Sequence, residues 1–312
     1  NGVWNFCFDD EDRGLRERWF LQDTPFKMQI NVPFVYECEL SGINVQERHD
    51  IIWYKRDFDT PTLTPQQRLI LHFGAVDYQA QVFINGQMVK EHIGGETPFS
   101  IDVTPFLEKG TVQSLCLRVQ DPLDNQEIPR GKQFWMPKSQ GIWYTRSTGI
   151  WQTVWLEVVN DQHIESLAIE PDLDSGTVEF NIKTKTSNQN TILGLKIYYR
   201  DQLVVETRTK CIEPKLKFSV DIVQSDVFRT GFHDSDEYLW SPEYPNLFTV
   251  KLTLIDIDSN IEIDSVSSYF GMRKIHSENG IICLNNKPYY QKLVLEQGYW
   301  PRGLLTAPED KD

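Results

Sequence analysis

Tyr78-Gln79-Ala80-Gln81-Val82-Phe83-Ile84-Asn85-Gly86-Gln87-Met88-Val89-Lys90 decides the fold class. Tyr78, Ala80, Val82 and Ile84 recur with period two, so their side chains share one face of an extended strand. Asn85-Gly86 follows, two residues that accept the positive φ a type I′ hairpin turn demands at both central positions. Gln87 to Lys90 is then the return strand. The same period recurs outward from this hairpin. Leu115, Leu117 and Val119 alternate with Cys116 and Arg118, and Val154, Leu156 and Val158 alternate with Trp155 and Glu157. Strand-like segments separated by Gly, Pro and Asp turns fill residues 1–160, and only Asp10 to Phe20 suggests a short helix. This pattern predicts an all-β domain, a jelly-roll β-sandwich.

Residues 161–273 repeat the logic in shorter strands. Val178, Phe180 and Ile182 form one stripe, and Leu195, Ile197 and Tyr199 another. Leu216, Phe218, Val220 and Ile222 make a third; Phe248, Val250, Leu252 and Leu254 make a fourth. Ser187-Asn188-Gln189-Asn190 reads as a polar turn. About seven short strands over roughly a hundred residues predict an immunoglobulin-like β-sandwich. Residues 274–312 change character. Tyr290 to Leu295 reads as a buried strand, and Thr306-Ala307-Pro308-Glu309-Asp310 as a helix N-cap and first turn. A strand followed by an incipient helix is half of a βα unit, which cannot bury its own apolar face. The expectation is therefore a truncated chain.

Composition removes several functions. The 312 residues carry 31 Lys+Arg against 45 Asp+Glu, a formal charge of −14. Without a block of cations such a chain is a poor nucleic-acid binder, because phosphate contacts need clustered positive charge. No apolar run approaches the roughly 18 residues of a membrane helix. Cys7, Cys38, Cys116, Cys211 and Cys283 are odd in number and far apart, which signals neither a disulfide framework nor a zinc site and suits a reducing, cytoplasmic compartment. The six histidines never fall at metal-ligand spacing, so neither a metal nor a cofactor is expected. Asp9-Asp10-Glu11-Asp12 reads as a solvated turn. His233-Asp234-Ser235-Asp236-Glu237 lacks the loop spacing of a calcium site.

Six blocks in order resemble glycoside hydrolase family 2, the group of β-galactosidases, β-glucuronidases and β-mannosidases. They are Gly2-Val3-Trp4-Asn5-Phe6 with Asp12-Arg13-Gly14; Val32-Pro33-Phe34 with Leu40-Ser41-Gly42 and Trp53-Tyr54; and Phe83-Ile84-Asn85-Gly86 with Gly94-Gly95, Pro98-Phe99 and Asp102-Val103-Thr104. Then come Thr148-Gly149-Ile150-Trp151-Gln152-Thr153-Val154-Trp155-Leu156, Leu239-Trp240-Ser241-Pro242-Glu243 with Pro245-Asn246-Leu247, and Phe270-Gly271-Met272-Arg273-Lys274 with Leu284-Asn285-Asn286-Lys287-Pro288. The resemblance implies a sugar-binding jelly roll over 1–160, an immunoglobulin-like domain over 161–273 and, over 274–312, the first βα element of a truncated catalytic TIM barrel. It also implies a retaining glycosidase, whose acid/base and nucleophile carboxyls stand about 5–5.5 Å apart. In the family both are glutamates from later barrel strands, expected beyond residue 312, so the chain alone is expected to be inactive on the carbohydrate substrate of the full-length enzyme.

Six residues are candidates for touching sugar. Glu296 follows Leu293-Val294-Leu295 and would sit on the barrel rim, with Tyr299 and Trp300 just beyond. The stretch from Asp121 to Gln140 is long for a connection, and its Arg130, Lys132 and Trp135 suit hydroxyl recognition and ring stacking. In family β-galactosidases and β-glucuronidases an aspartate six residues before the closing Gly-Ile reaches the active site; counting back from Gly149 gives Trp143 here. That departure puts galactose or glucuronate specificity in doubt. A stand-alone carbohydrate-binding or structural sandwich is the alternative, and a homo-oligomer is an open expectation.

Overall fold

The structure, a computed structural model, describes residues 1–185, 190–224, 238–309 and 311. Ser187 to Gln189 and the cluster His233 to Glu237 lie outside the described residues, as does Asp310. The chain divides into two compact units, Asn1–Val158 with Leu295–Asp312, and Val159–Val294.

The first unit is built from β1 (Gly2–Phe8), β2 (Met28–Val32), β3 (Ile51–Asp59), β4 (Gln67–Phe73), β5 (Val76–Asp77), β6 (Gln79–Ile84), β7 (Gln87–Ile93), β8 (Phe99–Asp102), β9 (Val112–Gln120), β10 (Gly149–Ile150) and β11 (Val154–Asn160). Six of them form a sheet in the order β2-β1-β3-β9-β6-β7; β11-β4-β8 form a second sheet and β10-β5 a short pair. Ala80, Val82 and Ile84 are fully buried, as their period requires, and share one core with Ile52, Tyr54 and Leu117 of the large sheet and Leu69, Leu71 and Phe73 of the small one. Two sheets sandwiching such a core is the predicted jelly roll.

The β6–β7 hairpin closes at Asn85 and Gly86, with φ of 49° and 78°. Asn85 does more than turn the chain. Its Nδ2 donates to Gln113 Oε1 at 2.6 Å and to the Phe106 carbonyl at 3.0 Å, and its Oδ1 accepts the Ser114 amide at 2.9 Å. Asn85→Ala forces an alanine into the left-handed region and strands these partners, so it should cost about 2 kcal/mol in urea unfolding. A loss below about 0.5 kcal/mol would show that the turn tolerates the change.

Asp10 to Phe20 does not form the expected short helix. Arg18 takes φ 56°, which ends any right-handed helix, and only the single 3₁₀ turn Trp19–Leu21 forms. At Gly14 a Cβ would lie 2.6 Å from the Trp53 indole. Residues 13–26 lie as a strap on the second face of the large sheet, where Trp19, Phe20 and Phe26 pack on Trp53, Phe83, Cys7 and Cys116. Phe20 stacks on Phe83 at 4.5 Å. The acidic cluster before it is not wholly solvated either. Asp9 is 2% exposed and accepts the Arg13 and Gly14 amides, both at 2.8 Å, and the Trp53 indole N–H at 3.0 Å. Asp12 pairs with Arg118 at 2.8 Å.

The second unit contains β12 (Ile164–Asp172), β13 (Thr177–Thr184), β14 (Thr191–Tyr199), β15 (Gln202–Lys210), β16 (Lys215–Asp221), β17 (Phe248–Asp256) and β18 (Glu262–Phe270). Sheets β12-β13-β16 and β15-β14-β17-β18 enclose Val178, Phe180, Ile197, Phe248, Val250 and Leu252, all fully buried. These seven strands are the predicted immunoglobulin-like sandwich. A small meander follows: β19 (Ile275–Glu278), β20 (Ile281–Leu284) and β21 (Lys287–Pro288).

The expectation of a buried strand at Tyr290 to Leu295 is corrected. The run joins no ladder, and Tyr290, Leu293, Val294 and Leu295 are 78–90% exposed. A barrel strand needs hydrogen-bonded neighbours on both edges and cover on both faces, and the described residues supply neither. Thr306 likewise starts no helix; its hydroxyl donates to the carbonyls of Trp151 at 2.7 Å and Pro33 at 3.2 Å.

Candidate functional site

The site is built where the connection from β9 to β10, residues 121–148, meets residues 295–309 within the first unit. So long a connection without regular structure needs internal anchors, because its backbone groups have no ladder. Gln133 is one such anchor. Its amide donates to Asp77 Oδ2 at 2.7 Å, and its carbonyl accepts the Ser147 amide at 2.7 Å, all within buried surroundings. Arg146 is another. Its guanidinium reaches the Tyr36 hydroxyl at 2.9 Å, the Glu47 carbonyl at 2.8 Å and Glu37 Oε1 at 3.4 Å. Thr148 closes the loop, donating from its amide to Glu37 at 3.2 Å and from its hydroxyl to Asp121 at 2.9 Å.

These carboxyls are buried deeply enough to change their acidity. Burial pushes Glu37 up to about 8, although Arg146 pulls the other way. Burial, reinforced by the charge of Asp121, pushes Asp77 up to about 8. Asp121 is also raised by burial, against the hydrogen bond from Thr148. Charged forms are disfavoured because the loop and the sheet end exclude water from them.

The later segment docks on this scaffold. Lys132 Nζ donates to Gln297 Oε1 at 2.5 Å, and the Tyr144 hydroxyl approaches the same oxygen at 3.4 Å. Tyr144 and Tyr299 stack at 4.0 Å with their planes 9° apart. Burial, with the charge of Glu96 adding, pushes the Tyr299 hydroxyl up to about 12. Arg302 pairs with Glu39 at 3.0 Å.

Of the six residues singled out from the sequence, Lys132 stands against the segment that carries Glu296. Glu296 is exposed, and its Oε1 accepts the Gly298 amide at 2.5 Å, which shapes the turn. Trp135 and Trp143 are brought together, edge to face at 5.2 Å, with Phe134 beside them and Trp135 half exposed. Trp300 is half-buried, and its backbone exchanges bonds of 2.8 and 2.9 Å with Leu304. Arg130 turns inward, donating to the carbonyls of Leu123 and Asn125, so it braces its own loop. Tyr144 and Gln297 are not among the candidates read from the sequence. Gln297 lies 165 positions from Lys132, a separation for which no local spacing carries a signal. The loop and the later segment thus carry an ammonium, a carboxylate and two indoles within the first unit.

Comparison with known proteins agrees with the two-sandwich fold. Residues 1–154 match the sequence model of the glycosyl hydrolases family 2 sugar binding domain, and residues 162–273 match a second model described as glycosyl hydrolases family 2. The β-galactosidase of Thermoanaerobacter pseudethanolicus is 25% identical over 243 residues, 76% of this chain and 30% of that protein. A putative β-glucuronidase of Formosa agariphila is 27% identical over 262 residues, 83% of this chain and 29% of its own length. Among solved structures, a β-glucuronidase from an uncultured Clostridium sp. superposes with a TM-score of 0.73 at 22% identity, covering 98% of this chain and 50% of that one. The Ruminococcus gnavus β-glucuronidase in complex with D-glucuronic acid also gives 0.73, at 18% identity, with coverages of 98% and 51%. The chain thus spans about a third of the length of the first two relatives and about half of each structure. With two family models matched in order over both sandwiches, the chain belongs to glycosyl hydrolases family 2.

Proposed function

We propose that this chain is the sugar-binding and immunoglobulin-like portion of a retaining glycosidase acting on β-glycosides, and that by itself it hydrolyses none. On this reading the polypeptide continues into a catalytic barrel whose two glutamates perform the reaction, and the exposed run Tyr290 to Leu295 becomes its first strand. The observation that carries the reading is the tie between the 121–148 loop and the 295–300 segment through Lys132–Gln297 and Tyr144–Tyr299. It sets one loop of the sandwich beside the residues that would lead onto the rim of a barrel, where such enzymes bind substrate. Lys132, Glu296, Trp135 and Trp143 would then line the wall of the sugar site, with Arg130 holding the loop and Trp300 shaping the turn. The five cysteines are all unpaired and buried, which supports a cytoplasmic setting. Among the described residues no helix is long and apolar enough to cross a membrane.

The purified chain should release no nitrophenolate from 4-nitrophenyl β-D-glucuronide or β-D-galactoside; turnover at constant specific rate through successive purification steps overturns the inactive-portion reading. In the full-length polypeptide, Lys132→Ala and Trp135→Ala should raise KM with kcat kept, the pattern of lost ground-state binding. An unchanged KM in both removes the loop from the sugar site.

A further inference from the structure

The β19–β20 hairpin brings together three side chains that the sequence separates. Its turn is Asn279-Gly280, with φ of 50° and 77°, and its register sets His276 directly opposite Cys283. Cross-strand partners share a face, and so do residues two apart on one strand, which adds Glu278 to the same side. One donor atom from each of the three lies within 4.8 Å of the other two. His276 Nε2 and Glu278 Oε2 are 3.8 Å apart.

Two of these groups lack adequate partners. His276 Nδ1 is buried and has no hydrogen-bond partner. An unsatisfied buried ring nitrogen is costly, and in a native protein it calls for a reason such as a bound ion. Cys283 is 4% exposed, and its thiol has a 3.9 Å approach to the Ile281 carbonyl, a weak contact. We propose that His276, Glu278 and Cys283 form a binding site for a zinc-class transition metal ion, with a fourth position open to water.

The donor set selects the metal. An imidazole nitrogen and a thiolate sulfur suit Zn(II) and its neighbours, whereas calcium and magnesium take oxygen ligands. Zinc bonds of about 2.0–2.3 Å in a tetrahedron put donor atoms roughly 3.3–3.8 Å from each other. The present separations need about 1 Å of closure. Glu278, with its side chain 66% exposed, is free to swing inward by torsion. Binding requires the thiolate, so the Cys283 thiol proton passes to solvent as the metal–sulfur bond forms. The Asp174 carboxylate, which interacts electrostatically with His276, adds negative potential. A metal here would clamp the hairpin immediately before the exposed run at 290–295.

Cobalt(II) is the probe, because a thiolate–cobalt bond gives a charge-transfer band in the near ultraviolet that zinc then abolishes on displacement. The intact chain, reduced and free of metal, should develop that band at one equivalent of cobalt and lose it to one equivalent of zinc. Cys283→Ser should show no band. Absence of the band in the folded wild-type chain, or its persistence in Cys283→Ser, overturns the site. Glu278→Gln, at an exposed position that leaves the fold intact, should weaken cobalt binding at least tenfold, about what loss of a residue that merely supports a ligand causes. Unchanged affinity in that variant overturns the three-ligand assignment even if Cys283→Ser fails to fold.

Discussion

Arg146→Ala lowers the stability of the first unit by about 3 kcal/mol, through the hydrogen bonds it removes and the cavity it opens. The side chain of Arg146 is 4% exposed and that of Glu37 is fully buried. Truncation leaves the Tyr36 hydroxyl and the Glu47 carbonyl without the donor they share, removes the cation beside Glu37 Oε1, and opens a cavity where the guanidinium lay. The Tyr36 hydroxyl and the Glu47 carbonyl keep their mutual contact at 3.4 Å, so each lost hydrogen bond costs about 1 kcal/mol and the cavity supplies the rest. For a unit of this size the midpoint of thermal unfolding should fall by about 10 °C. Tryptophan fluorescence isolates the effect, since every tryptophan but Trp240 belongs to the first unit. Arg146→Met, which refills the space without the charge, should recover part of the loss, and the Arg146→Ala, Glu37→Gln double variant should lose less than the sum of the two singles. A loss under about 1 kcal/mol in Arg146→Ala would mean that the guanidinium is dispensable to the loop.

What the sequence makes legible follows a physical line. Period-two stripes such as Ala80-Val82-Ile84 and Val178-Phe180-Ile182 report burial directly, because in a half-buried strand the face and the alternation are the same fact. Asn85-Gly86 is legible for the same reason: turn chemistry is local. The short helix suggested over Asp10 to Phe20 does not form, because the left-handed Arg18 and the close approach of Gly14 to Trp53 are dictated by the sheet beneath. At 290–295 the apolar character is visible and the exposure is not, since burial depends on neighbours in space. The candidate site is legible only in part. Residue type and loop length single out Lys132 and Trp135, and a place after the apolar run singles out Glu296, but the Tyr144–Tyr299 stack joins positions 155 apart along the 1–312 numbering. His276 and Cys283 escape a search for ligand spacing because the hairpin register, and no fixed interval, makes them neighbours.

The first unit should lose stability as pH rises from about 5 to about 8, against the usual behaviour of carboxylates held by ion pairs. Glu37 and Asp77 are both raised to about 8, from ordinary values of 4.5 and 3.8, with burial as the leading cause. Between those limits the unfolded chain has released its protons while the folded unit retains them. The unfolded state therefore binds fewer protons, and the unfolding free energy falls with rising pH until both folded carboxyls have ionised. Each tenfold weakening of a carboxyl's acidity on folding is worth about 1.4 kcal/mol, so even a fraction of these displacements makes the loss a few kcal/mol. Asp77→Asn and Glu37→Gln keep an acceptor for Gln133 and for the Thr148 amide while removing the ionisation. Each should flatten the pH dependence, and the two together should flatten it further, leaving the share of Asp121, which burial also raises. Urea unfolding followed by tryptophan fluorescence at several pH values reads the slope directly. A wild-type unit equally stable at both ends of that window, or more stable at the alkaline end, would mean that the loop leaves these carboxyls in water. The direction matters for the loop's role as well, because ionisation of Asp77 places a charge beneath Gln133, the residue that holds Ser147 and with it the return of the chain to β10.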